Sequence, residues 1–262
     1  MMKIGVIPDS FQVPFKEAVV MARDMGVKGL QPYVTKGEMA PENLSREDRA
    51  DIKKFVADNG LQFSAVCADF GMHFYDADVN GIKRTMAMMD LARDFGTNII
   101  TTHIGKVPDD ENSEEYFHMV NAIEVLGKYG DATGVSFATE TGPEMALKLR
   151  GVLEKADTKS AKVNLDPANF VMVAGQDPVE AVHILKDYIV HTHAKDGVKN
   201  PDGSHTEYKL GDGDVPFFEY ISALKEIGYD GFLTIERENG ATRMQDIAHA
   251  VKFLTEILNK IY

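Results

Sequence analysis

Ile189-Val190-His191-Thr192-His193 runs through β-prone residues and stops on an imidazole. Three other short segments stop in the same way on a carboxylate: Phe137-Ala138-Thr139-Glu140, Val163-Asn164-Leu165-Asp166 and Phe232-Leu233-Thr234-Ile235-Glu236. A strand that ends on such a side chain presents it at the rim of a sheet or barrel. One strand end carries little information. Four of them in the last half of the chain, offering Glu, Asp, His and Glu, read as one divalent-metal site assembled from successive strands.

Working outward, the chain repeats a pattern of helix end, Gly and short apolar run. It appears at Gly26, Gly60, Gly96 and Gly228, and with Gly134 the first four repeats are spaced by 34, 36 and 38 residues. Each Gly supplies the left-handed conformation that closes a helix before a turn into the next strand. The periodicity predicts strands near residues 3–7, 29–33, 61–66, 98–103, 135–140, 161–166, 189–193 and 232–236, with helices between them. The last helix is the clearest, because Met244, Ile247, Val251, Leu254 and Leu258 step by three and four residues along one face. Eight strands alternating with helices predict an α/β fold, a (β/α)8 TIM barrel with parallel strands, forming a single domain over residues 1–262. A doubly wound open sheet is the alternative, and no Gly-rich dinucleotide loop follows the first strand to support it.

Composition narrows the function. The chain has 262 residues, 44% hydrophobic and 26% charged, enough for one large core. Its formal net charge of -13 opposes nucleic acid as a partner, since phosphate binding needs clustered Lys and Arg. No apolar stretch approaches the roughly 20 residues needed to span a bilayer, and the start at Lys3-Ile4-Gly5-Val6-Ile7 lacks a signal-peptide shape. A single cysteine, Cys67, suits a reducing compartment, so a cytoplasmic protein is expected.

In a barrel, Glu140, Asp166, His193 and Glu236 fall at the C-terminal ends of strands five to eight, the face that holds the chemistry of such folds. Three oxygens and one imidazole nitrogen are a hard donor set. They favour Mn²⁺, with Co²⁺, Mg²⁺ or Zn²⁺ as further candidates.

The segments Ala138-Thr139-Glu140-Thr141-Gly142, Asn164-Leu165-Asp166-Pro167-Ala168-Asn169, His191-Thr192-His193-Ala194-Lys195-Asp196, Leu210-Gly211-Asp212-Gly213-Asp214 and Thr234-Ile235-Glu236 carry a resemblance. The chain resembles the xylose isomerase-like superfamily of sugar phosphate isomerases and epimerases. It is similar in ligand order to the ketose 3-epimerases and, more distantly, to endonuclease IV. The resemblance implies that Glu140, Asp166, His193 and Glu236 hold the metal and that Glu140 and Glu236 are also the catalytic acid/base pair. One carboxylate then removes a carbon-bound proton and the opposed one returns it with inverted configuration, through an enediolate. Two positions depart from the ketose epimerases: Asn169 replaces a histidine and Lys199 an arginine, both at positions that contact substrate oxygens. Endonuclease IV is disfavoured, because its additional histidine ligands are not matched and the charge opposes DNA.

His103, which closes the fourth strand, and Lys195, two residues past His193, join Asn169 and Lys199 as expected substrate-binding residues. Lys195 is also placed to pair with Asp196 or with a barrel acid. The Gly211-Asp212-Gly213-Asp214 turn is weak as a phosphate cradle. Glu207 is placed to reach the site, His205 reads as a loop residue, and His191 is expected to face away from His193 as a packing or supporting residue. Met86, Met88 and Met89 read as core, Cys67 as a small buried residue, and Val66 to Tyr75 as a loop covering the substrate. The expected function is a metal-dependent sugar isomerase or epimerase acting on a small carbohydrate, in a chain that can form homo-oligomers. The alternatives are a keto-sugar dehydratase like the inosose dehydratases, on the same metal site, and a non-catalytic sugar-binding barrel.

Overall fold

Gly26, Gly60, Gly96, Gly134 and Gly228 all adopt positive φ, between 72° and 86°, each where a helix gives way to the next strand. These turns set the rhythm of the computed structural model, which describes residues 1–262. In chain order the elements are β1 (Lys3–Val6), α1 (Phe15–Asp24), β2 (Gly29–Leu30), α2 (Arg46–Asp58), β3 (Gln62–Phe63), β4 (Val66–Cys67), α3 (Val79–Phe95), β5 (Ile99–Thr102), α4 (Glu114–Thr133) and β6 (Ser136–Glu140). They continue with α5 (Ala146–Ala156), β7 (Ala161–Leu165), the single turn α6 (Pro167–Asn169), α7 (Pro178–Leu185), β8 (Ile189–Ala194), β9 (Asp196–Lys199), β10 (His205–Tyr208), α8 (Phe217–Glu226), β11 (Phe232–Ile235) and α9 (Arg243–Ile261). Helix starts carry their own signals. Ser45 and Asp48 form a reciprocal capping box on α2, while Asp78 and Ser113 cap α3 and α4.

Nine parallel strands form one sheet in the order β3-β2-β1-β11-β8-β7-β6-β5-β4. Its two ends, β3 and β4, are halves of the same run, separated only by Ser64 and Ala65, so the sheet curls into a nearly closed barrel. The expected third strand over 61–66 is therefore broken and runs one residue further. Its first half pairs with β2 and its second with β5, while hydrogen bonds from Cys67 N to Pro32 O (2.8 Å) and Val34 N to Cys67 O (2.9 Å) carry it past the break. The helices pack outside against a core cluster of 64 buried residues, large enough to unite every layer of the barrel. Met88, Met89, Ile247, Leu254 and Leu258 belong to it, with Met86, Met244 and Val251 packed on its edge. No helix is long and apolar enough to cross a membrane.

The antiparallel hairpin of β9 and β10 was not legible in the sequence. It forms because Asp196, fully buried, accepts backbone N–H groups from Gly197 (2.9 Å), Gly211 (2.9 Å), Gly213 (3.1 Å) and Val215 (3.1 Å). A Cβ at Gly213 would lie 2.2 Å from Asp196 Oδ1, so only glycine admits the carboxylate. The amides of the Gly211–Asp214 turn are thus consumed within the chain, those of Gly211 and Gly213 by the Asp196 carboxylate and those of Asp212 and Asp214 by backbone carbonyls, which removes the phosphate-cradle reading. Asp196→Ala leaves buried N–H groups unpaired at about 1–3 kcal/mol each. Urea denaturation is expected to show a loss of about 3 kcal/mol or more; a wild-type midpoint would show that the carboxylate does not hold the turn.

Candidate metal centre and active site

Around the barrel, β11, β8, β7 and β6 are consecutive neighbours, and their C-terminal ends deliver Glu236, His193, Asp166 and Glu140 in that order. One ligand atom from each lies within 4.8 Å of every other, and all four residues are buried. His193 Nδ1 sits 3.4 Å from Glu140 Oε1 and 3.0 Å from Glu236 Oε2. His193 Nδ1, Asp166 Oδ2 and Glu236 Oε2 are nevertheless sealed from solvent without a hydrogen-bond partner. Buried polar atoms are normally satisfied, so three orphans converging on one point fit a cation as the missing partner. Three carboxylates and one imidazole are also a suitable donor set for a divalent ion.

Residues that sequence reasoning missed orient these donors. His193 Nε2 donates to Gln31 Oε1 at 3.0 Å, and Gln31 is fixed in turn by Thr101 Oγ1 at 2.7 Å, which leaves the Nδ1 lone pair aimed at the cluster. Asp166 is held through its backbone by Thr141 Oγ1, and its Oδ1 accepts Ala168 N at 2.8 Å. Asn164 Nδ2 donates to Glu140 Oε2 at 3.3 Å, and its Oδ1 accepts from His191 Nδ1 at 2.9 Å. His191 therefore does not face away from His193. Residues two apart on a strand share a face, and the rings lie 5.9 Å apart inside the barrel. Thr234 Oγ1 donates to His191 Nε2 at 3.0 Å, and burial keeps this imidazole neutral. Asn164, His191 and Thr234 thus form a polar layer directly beneath the ligand layer.

The charges interlock. Burial raises Asp166 to about 7, with Glu236 and Glu140 adding to the rise against Lys195. Burial acts in the same sense on Glu236, but Lys195 and His193 outweigh it and hold this carboxyl low; His103 and His193 do so for Glu140. Burial opposes a charge on His193, yet Glu140 and Glu236 overcome it, so without a cation this imidazole retains a proton. His103 Nδ1 lies 2.8 Å from Asp69 Oδ2 and its Nε2 3.5 Å from Glu140 Oε1, and chiefly Glu140 raises it to about 10.

Above the cluster opens a cleft of about 470 Å³ lined by one apolar residue, Met172, and otherwise by polar groups. His103, Asn169 and Lys195, three of the residues expected to bind substrate, line it. Lys199 does not, because the chain turns into the hairpin at Asp196 and leaves this lysine exposed on β9. His205 lies on β10 rather than in a loop and reaches the cleft, as does Glu207. Asn169 donates to Thr141 O at 2.8 Å and lies 3.5 Å from Glu140 Oε1. Lys195 pairs with Glu236 at 3.3 Å and with Glu238, not with Asp196. Between Val66 and Tyr75, Asp69 supports His103 while Phe74 is buried in the core. Cys67 is buried, and burial pushes its thiol well above the usual range, in line with a packing role.

The family described as Xylose isomerase-like TIM barrel matches residues 19–257. The chain belongs to this family. It is 26% identical to the uncharacterized protein MJ1188 of Methanocaldococcus jannaschii, over 98% of this chain and 100% of that one. The crystal structure of a xylose isomerase domain protein from Planctomyces limnophilus has 26% identity and a TM-score of 0.87, covering 99% of this chain and 98% of that one. The barrel is also that of the probable 3-DHS dehydratase AsbF from Bacillus anthracis, at 22% identity, TM-score 0.79 and coverage of 97% and 99%. An L-ribulose 3-epimerase shares it at 17% identity, TM-score 0.79 and coverage of 100% and 96%. These last two likenesses concern the fold.

Proposed function

We propose that this xylose isomerase-like barrel is a divalent-metal-dependent sugar isomerase or epimerase that acts through an enediolate on a small carbohydrate. The observation that carries the reading is the placement of Glu140 and Glu236 at the two ends of the ligand arc, with Asp166 and His193 between them. Two carboxylates set on either flank of one point can reach opposite faces of a carbon held there. Mn²⁺ suits the oxygen-rich set best, with Co²⁺, Mg²⁺ or Zn²⁺ as alternatives. When bound, the ion supplies Lewis acidity that lowers the cost of an enediolate next to a carbonyl.

The chain supplies the rest. With an ion bound, His193 would give up its proton to act as a ligand, and Lys195 beside Glu236 and His103 beside Glu140 favour the ionised carboxylates, so either can accept a carbon-bound proton. The opposed carboxylate, after taking a proton from water in the cleft, delivers it to the other face of the carbon, and the abstracted proton leaves to solvent from the first carboxyl. Asn169 and His103 line the cleft beside Glu140, where they are placed to meet substrate oxygens. Membership of a family whose fold is shared by an epimerase supports the reading.

Dehydration of a keto-sugar is the second reading, favoured by one feature: the imidazolium of His103, buttressed by Asp69, is an acid placed to protonate a departing hydroxyl. Incubating the Mn²⁺-loaded protein with free ketoses and keto-inositols in D₂O separates the two. Deuterium entering one carbon of an otherwise unchanged skeleton is expected; loss of water would favour elimination, and neither change across the panel would defeat both.

A further inference from the structure

Lys195 is the one lysine lining the cleft, and its charge is already matched. Its ammonium lies 3.3 Å from Glu236 Oε2 and 2.5 Å from Glu238 Oε2; the lysine side chain is 8% exposed, whereas that of Glu238 is 50% exposed at the cleft. Glu238 is held there by its surroundings. Its backbone N–H donates to Glu207 Oε1 at 3.1 Å, and Asn239 donates to Glu207 Oε2 from both its N and its Nδ2 at 3.0 Å. Arg237 lies between Glu207 (2.9 Å) and Asp246 (3.0 Å), with all three side chains largely buried. A buried ionic triad is costly to assemble and loses much when one member is removed, so this one fixes the loop and with it the Glu238 carboxylate.

The remaining charges of the cleft are spent in the same way. His103 lies between Asp69 and Glu140, Glu207 is committed to Arg237, and Lys199 lies outside the lining. His205 is solvent-exposed, where attraction to an anion is weak. A phosphate or carboxylate entering the cleft would meet Glu238 beside the only buried ammonium.

We propose that Glu238 is a specificity-determining residue: it cancels Lys195 and so restricts the site to uncharged polyhydroxylated carbonyl compounds, excluding substrates that present a phosphate or carboxylate to Lys195. The proposal rests on the sugar-directed reading of the site for the word substrate, but its test does not. Removing the Glu238 charge frees the ammonium to hold an anion.

Inorganic phosphate is the probe, titrated calorimetrically into Mg²⁺-loaded wild type, Glu238→Gln, Glu238→Ala, Lys195→Met and the double variant Glu238→Gln/Lys195→Met at matched free Mg²⁺. Wild type is expected to bind phosphate weakly, either Glu238 single variant at least about tenfold more tightly, and the double variant no better than wild type. Three results would overturn the proposal: no gain in the two folded Glu238 single variants, a gain that survives loss of Lys195, or strong wild-type binding that Lys195→Met abolishes. The last would make Lys195 an anion anchor. Inactivity on every sugar would sink the sugar reading and leave the phosphate result standing.

Discussion

Glu236→Gln and Glu140→Gln are each expected to slow solvent-deuterium exchange into substrate by about 10²–10⁴-fold at saturating metal, the usual worth of a positioned acid or base. Glutamine keeps the volume and one oxygen donor but cannot take up a carbon-bound proton. In Glu236→Gln the amide still faces the Lys195 ammonium, and in Glu140→Gln it still faces Asn164 and Asn169, so the pocket keeps its shape. The two variants differ in what they leave behind: Glu236→Gln frees part of the Lys195 charge, and Glu140→Gln removes the main influence holding His103 protonated. Titrating metal into each variant during the assay separates weakened ligation from lost proton transfer. Full exchange in either variant would end the proton-transfer role of that residue.

Asp166→Asn is expected to do two opposite things. In the metal-free protein burial, with smaller contributions from Glu236 and Glu140, raises Asp166 from 3.8 to about 7. Between those values the unfolded chain ionises where the folded chain does not. The residue's contribution to stability therefore falls as pH rises through that window and is fully unfavourable above it. With chelator at pH 8 the Asn variant should melt above wild type, and the gap should narrow toward pH 4. Added Mn²⁺ should reverse the order. A free ion at a hundred times its Kd stabilises the folded state by about 2.7 kcal/mol, or about 5 °C or more in a chain of this size, and the variant lacking a charged ligand forfeits most of it. Thermal melts with and without Mn²⁺ check this; equal metal-dependent shifts in both proteins would remove Asp166 from the coordination scheme.

The sequence was most legible where one residue type answers one local demand. Gly at a helix end needs positive φ, and all five positions expected to show it do so. The strand ends were legible for a similar reason, since a run of β-prone residues stopped by a charged side chain leaves that side chain at a rim, and four of them meet within 4.8 Å. Features that depend on a distant partner were not legible. Gln31 looks like an ordinary polar residue until barrel closure brings it to His193, 162 positions away, and Asn164 joins Glu140 of one neighbouring strand to His191 of the other. Glu238 gained its meaning only from the hairpin, which forms around Asp196 and has no periodic signature of its own. His191 was misassigned because its two-residue spacing from His193 puts both rings on one face of β8.

The central claim is that four strand ends build one divalent-metal centre, and elemental analysis tests it most directly. Wild type purified without chelator, beside a variant with both Glu140 and Glu236 replaced by alanine, is predicted to carry about one equivalent of Mn, Co, Mg or Zn per chain, and the variant almost none. No metal in wild type even after reconstitution, or equal metal in both proteins, would contradict the account.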